Sequence, residues 1–100
     1  ITAIFQPHLY SRTQDFAHEF AASLSLFDTL FLLDIYPARE LPIAGVTSDW
    51  LLGMISSKKK SKATVAEVLK SLKENPPEVL VSLGAGDIGK QVVHFKEALL

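Results

Sequence analysis

The sequence contains no cysteine. That excludes a disulfide framework and thiolate-bound metal, and it agrees with a cytoplasmic setting. An excess of either charge is also missing, because ten basic and eleven acidic residues leave a net charge of −1 and a pI near 6.3. No general field therefore attracts nucleic acid or an anionic membrane, and any anion site has to be local. No apolar run approaches the ~20 residues that a spanning helix needs, so no membrane is expected as a partner. A phosphate-cradling Gly-x-x-x-x-Gly-Lys-Ser/Thr loop is absent, and no nucleophile stands beside an activating base. No catalytic residue is assigned within the chain, which taken alone is not expected to be a complete enzyme.

What is present is one core's worth of apolar residues. One hundred residues at 48% hydrophobic suffice for a single domain, in which folding buries roughly 65% of the unfolded chain's surface. The first residue is not methionine and lies within an apolar stretch, so a piece of a longer protein is expected.

Ile1 to Phe5 reads as a short buried strand. Ser11 with Gln14 three residues on is a capping-box signature, and Phe16, Ala17, Phe20, Ala21 and Leu24 recur at helical spacing. Thr29 to Leu33 is a β-branched and apolar run of the kind that a strand covered on both faces shows. Pro37, Pro42 and Gly45 then impose a long loop. Thr47 or Ser48 caps a helix bearing Trp50, Leu51, Met54 and Ile55, and Ser56 to Lys62 is a solvated connection or a short edge strand. Thr64 and Glu67 form a second capping box before Val65, Val68, Leu69 and Leu72, and Asn75-Pro76-Pro77 stops that helix. Glu78 to Leu83 is a strand, and Asp87 opens a last helix with Ile88, Val92, Phe95 and Leu99 on one stripe. The order β-α-β-α-α-β-α implies an α/β fold, a three-layer open parallel sheet.

Ligands in such folds bind beyond the carboxyl ends of the strands. The exits are Gln6-Pro7-His8, Asp34-Ile35-Tyr36 and Gly84-Ala85-Gly86-Asp87. The only two arginines, Arg12 and Arg39, lie in or just past these exits, whereas the eight lysines are expected elsewhere. Arginine suits bidentate grip of an anion, and Arg12 falls where a helix start offers unpaired N–H groups. His8, just past a strand end, either serves a ligand or bonds its own loop, and Asp34 either binds a metal or caps its loop. His18 and His94 read as solvated helix residues, and the three histidines lack metal-ligand spacing. Gly84-x-Gly86-x-x-Gly89 matches the dinucleotide fingerprint, but too little chain follows for the second strand and ribose-binding acid, so a tight glycine turn is expected. Lys58-Lys59-Lys60-Ser61-Lys62 lacks aromatic interleaving, so no nucleic acid is expected.

Phe5-Gln6-Pro7-His8-Leu9-Tyr10-Ser11-Arg12-Thr13, Asp34 to Glu40 with Pro42-Ile43 and Gly45, and Gly84 to Ile88 together resemble the C-terminal domain of the Mur ligase family, in its L-alanine-adding branch. The resemblance implies a Rossmann-like domain, residues 1–100 being part of it, with the start of the domain and two preceding domains lying outside. It implies ATP-dependent amide-bond formation in peptidoglycan synthesis, and hence a part in cell wall biogenesis, cell shape and cell division. ATP and Mg, L-alanine, UDP-N-acetylmuramate and a central ATP-binding domain are the implied cofactors and partners. Neither ATP nor Mg is expected to bind tightly to this segment, which lacks the family's Asp-Tyr-x-His-His-Pro segment. Carried over, His8 and Arg12 face the incoming amino acid, and Tyr10, Asp34, Tyr36 and Asp87 support the rim. Leu9 stands where many members have arginine. Either that arginine is dispensable or Arg39 supplies its charge, the second being expected here. A ligase adding a recycled murein tripeptide and a free-standing anion-binding α/β module are the alternatives.

Overall fold

The computed structural model describes residues 1–84 and 87–99. Strand β1 (Thr2–Gln6) is the centre of a four-stranded, wholly parallel sheet, with β2 (Thr29–Leu32) and β4 (Leu80–Gly84) on its two sides and β3 (Lys59–Lys62) beyond β2. Helices α1 (Tyr10–Asp15) and α2 (Ala17–Leu24) link β1 to β2, and α3 (Ser48–Leu52) links β2 to β3. Helix α4 (Val65–Glu74) then returns across the sheet to β4, and α5 (Asp87–Leu99) follows.

Alternation along β1 explains the layers. Ala3 and Phe5 pack with Leu30 and Leu32 against Ala17, Ala21 and Leu24 of α2, Leu51 of α3 and Ile55 just beyond it, since α3 ends at Leu52. Ile4 points the other way, into Val68 and Leu72 of α4 and Ile88 and Phe95 of α5. Small residues at 17 and 21 let α2 lie close to the sheet, and the rings of Phe5 and Phe20 meet at 5.4 Å. The chain runs from β1 to β3 with helices on one face, then reverses direction with a helix on the opposite face. Changing both together keeps one handedness for every crossover, which is how parallel sheets are wound. The three-layer open parallel sheet is as expected.

Local expectations divide. The Thr64–Glu67 capping box forms, and Thr47 caps α3 by accepting from the Trp50 N–H at 3.1 Å. The Ser11–Gln14 box does not form. Helix α1 begins at Tyr10, so Ser11 lies inside its first turn, and the N-cap residue Leu9 makes no side-chain bond. The first helix also breaks at Phe16, whose φ of −113° leaves helical geometry and whose ring is 51% exposed. Of the last helix's expected stripe, Ile88 and Phe95 are buried while Val92 and Leu99 are exposed, since β4, which α5 follows, lies at the edge of the sheet. The polar stretch before α4 resolves as the edge strand β3, which raises the strand count from three to four. Its ladder to β2 needs only backbone groups, and lysines on a free edge discourage further pairing.

Leu72→Ala is expected to cost about 2–5 kcal/mol and Thr64→Ala about 1 kcal/mol. Urea denaturation measures both; a loss at Leu72 no larger than that at Thr64 would remove it from the core.

Candidate functional site

All four strands end on one rim. Beyond β1 the chain continues beside the segment leaving β2: the Leu33 N–H donates to Phe5 O at 2.9 Å, the Tyr36 N–H to Pro7 O at 2.8 Å and the Leu9 N–H to Tyr36 O at 2.8 Å. Pro7 is buried and gives up no bond, since only its carbonyl is used. This irregular ladder pairs His8 with Tyr36, and their rings stack at 5.7 Å and 13°. His8 is half-buried, and its ring is held by the stack on Tyr36 rather than by a side-chain hydrogen bond among the described residues.

Gln6 ties the exits together. Its side-chain oxygen accepts from the Ile88 N–H in the first turn of α5 at 2.9 Å, and its amide nitrogen reaches Asp34 O at 3.4 Å. Strand β4 comes so close at this point that a Cβ on Gly84 would lie 2.6 Å from Gln6 O, and Gly84 has φ +134°. Only glycine fits there. Asp87 opens α5 as expected, but its side chain, with Ala85 and Gly86 of the glycine turn, lies outside the described residues.

At the start of α1 the expectation of open amides needs correction. The Glu40 carboxylate, from the loop after β2, accepts from the Ser11 N–H at 3.1 Å and from the Ser11 hydroxyl. Ser11's hydroxyl and amide hold the Glu40 carboxyl below its ordinary value of 4.5, with the Tyr10 N–H and the His8 imidazole adding smaller pulls in the same direction. The chain's own acid thus occupies the helix start. Arg12 is exposed on α1 and Arg39 exposed in the loop, and neither forms an ion pair among the described residues. The chain bends into α1 at Leu9, held at φ +68° and ψ 139°. This is a costly backbone state for a branched side chain, worth about 1–3 kcal/mol.

The lysines are not all remote. Lys62, the last residue of β3, stands on the rim 3.2 Å from the Asp34 carboxylate and 3.4 Å from that of Asp49, and these two acids, Asp34 foremost, raise its pKa. The three line a cavity of about 340 Å³ with Tyr10, Thr47 and Ser48. Asp34 therefore faces an ammonium. No group of three His, Cys, Asp or Glu able to hold a metal occurs among the described residues. A larger cavity of about 820 Å³ opens at the other end of the strands, beside Thr2, Thr29 and Lys59, away from these groups. His18 and His94 are exposed on helices, as expected.

No protein-family profile matches the chain. Comparison with curated proteins is decisive: it is 54% identical over 99 residues to the UDP-N-acetylmuramate–L-alanine ligase of Flavobacterium psychrophilum, covering 99% of the chain and 22% of that protein. The namesake ligases of Christiangramia forsetii and Porphyromonas gingivalis are 55% and 51% identical over 100 residues, again 22% of their length. The chain belongs to this ligase family. It spans about a fifth of the length of the curated relatives it matches.

Three rim residues of this ligase segment escaped sequence reasoning as contributors: Gln6, Glu40 and Lys62. Gln6 carried one signal, a polar side chain ending an otherwise apolar strand. Glu40 and Lys62 carried none, since their partners lie 29 and 28 positions away.

Gly84→Ala is expected to destabilise by about 2 kcal/mol or more, through positive φ and the clash at Gln6, lowering the melting temperature by roughly 8 °C or more. A melting temperature within two degrees of wild type would contradict that crowding. Glu40, with its folded-state pKa depressed, stabilises fully above about pH 4.5 and loses that contribution as pH falls through the depressed value. The gap in urea midpoint between wild type and Glu40→Gln should accordingly be full at pH 7 and close in acid; a gap independent of pH would remove the ionised carboxylate from α1.

Proposed function

We propose that this segment is part of the C-terminal domain of a ligase that joins L-alanine to UDP-N-acetylmuramate at the expense of ATP, in peptidoglycan synthesis in the cytoplasm. The observation that carries the reading is the identity of about one half, along the whole chain, with proteins named for that reaction. In this scheme the sugar carboxylate takes a phosphoryl group from ATP with release of ADP, and the amine of L-alanine attacks the resulting acyl phosphate, giving up a proton and expelling phosphate. No step is assigned to ATP or magnesium on this segment, whose sequence has no P-loop and whose described residues gather no metal ligands. Those groups belong to the central domain of the longer protein, and the segment alone is inactive.

The rim's part is to bind and orient the amino acid. Arg12, exposed and without an ion pair among the described residues, grips the L-alanine carboxylate through its planar pair of N–H donors. His8, steadied by its stack on Tyr36, orients the same carboxylate or the amine. Arg39 supplies the charge that many family members carry at the position of Leu9. Closure of this domain over the central one brings the amine to the activated carboxyl and excludes water, which would otherwise hydrolyse it.

Steady-state kinetics of the full-length protein test this. Arg12→Ala should raise the KM for L-alanine about 10- to 100-fold, the effect of losing a charge-assisted pair, and leave the KM for ATP within about twofold. Unchanged L-alanine kinetics would remove Arg12 from the site.

A further inference from the structure

Glu40 is a half-buried acid to which the proposed reaction gives no task. Its carboxylate accepts from both the Ser11 N–H and the Ser11 hydroxyl. The bond closes the loop between β2 and α3 onto α1. Neither core cluster includes any residue from Tyr36 to Gly45, and Leu41 beside Glu40 is 85% exposed. The layers therefore pack without this closure. It is nevertheless made across a loop that holds Ala38 at φ +51° and onto a turn that holds Leu9 at φ +68°. Conformations so disfavoured persist where surrounding bonds over-determine them, and they concentrate at binding sites.

The chain's two arginines each sit one residue from this bond: Arg12 follows Ser11, and Arg39 precedes Glu40. We propose that Glu40 is a positioning residue that fastens the loop to α1 and so sets Arg12 and Arg39 as a pair for the amino-acid carboxylate. The inference rests on the ligase reading above and deepens it at the same site. Because the Glu40 oxygens are engaged by the Ser11 N–H and hydroxyl, they compete poorly for guanidinium groups. Their negative charge also eases the approach of two cations before substrate arrives.

The test is initial-rate kinetics on the full-length protein, with L-alanine, ATP and UDP-N-acetylmuramate varied in turn. Glu40→Ala is expected to raise the KM for L-alanine about tenfold, with kcat within about threefold and the other two KM values unchanged. Glu40→Asp should recover part of the loss, and the Arg12→Ala, Glu40→Ala double variant should lose less than the product of the two single losses, because part of what Glu40 does is done through that arginine. An unchanged KM for L-alanine in folded Glu40→Ala, a fall in kcat alone, or effects of the two variants that multiply would overturn the positioning role. If Glu40→Ala fails to fold, Glu40→Gln and Ser11→Ala are judged by the same criteria. A wild-type protein that does not consume L-alanine would instead overturn the ligase reading, so the two failures are distinct.

Discussion

Strand β1 is hydrogen-bonded on both edges and buried on both faces, and the rim hangs from its carboxyl end. A parallel ladder leaves no choice about where the strands finish: their last residues, Gln6, Leu32, Lys62 and Gly84, stand together at one end of the sheet. Gln6 turns this coincidence into a fixed geometry by bonding toward the exits on both sides, and Gly84 allows the approach by having no side chain. The winding reverses between β1 and β4, so this crowded point is also the topological switch where α/β sheets open a crevice.

On the rim the distribution of charge is uneven. Two acids, Asp34 and Asp49, share one ammonium at Lys62, while Glu40 is absorbed by the N–H and hydroxyl of Ser11 on α1. The guanidinium groups are treated differently: neither Arg12 nor Arg39 is paired among the described residues. A protein of nearly balanced charge thus satisfies Asp34, Asp49 and Glu40 internally and leaves both rim arginines without an ion pair among the described residues, a local departure that net charge conceals.

Elements whose signals are local were legible in the sequence. The Thr64–Glu67 box and the Val68–Leu72 face need only neighbours within one turn, and the apolar run ending at Leu33 announces burial on both faces. Strand β3 could not be read with the same assurance, because all four of its residues are exposed and an edge ladder leaves no apolar pattern. The Ser11–Gln14 box failed for a related reason. Its local logic was sound, but a carboxylate from far along the chain reached the same donors, and a side chain at Ser11 cannot cap a helix that starts one residue earlier. The arginines and His8 were legible as candidates from residue type and strand position, whereas the bonds that hold them in place depend on contacts no local pattern encodes.

Two kinds of holding therefore coexist. The layers are held by interlocked side chains such as Ile4, Leu72 and Phe95, whose removal from water is cooperative and costly to undo. The rim is held by polar bonds at partly exposed sites, each contributing little net free energy in water. Its opening should consequently cost less than unfolding of the sheet, as is usual for binding segments mounted on rigid scaffolds. The division leaves the sheet to fix where the rim groups stand and the weaker rim bonds to set how readily they adjust.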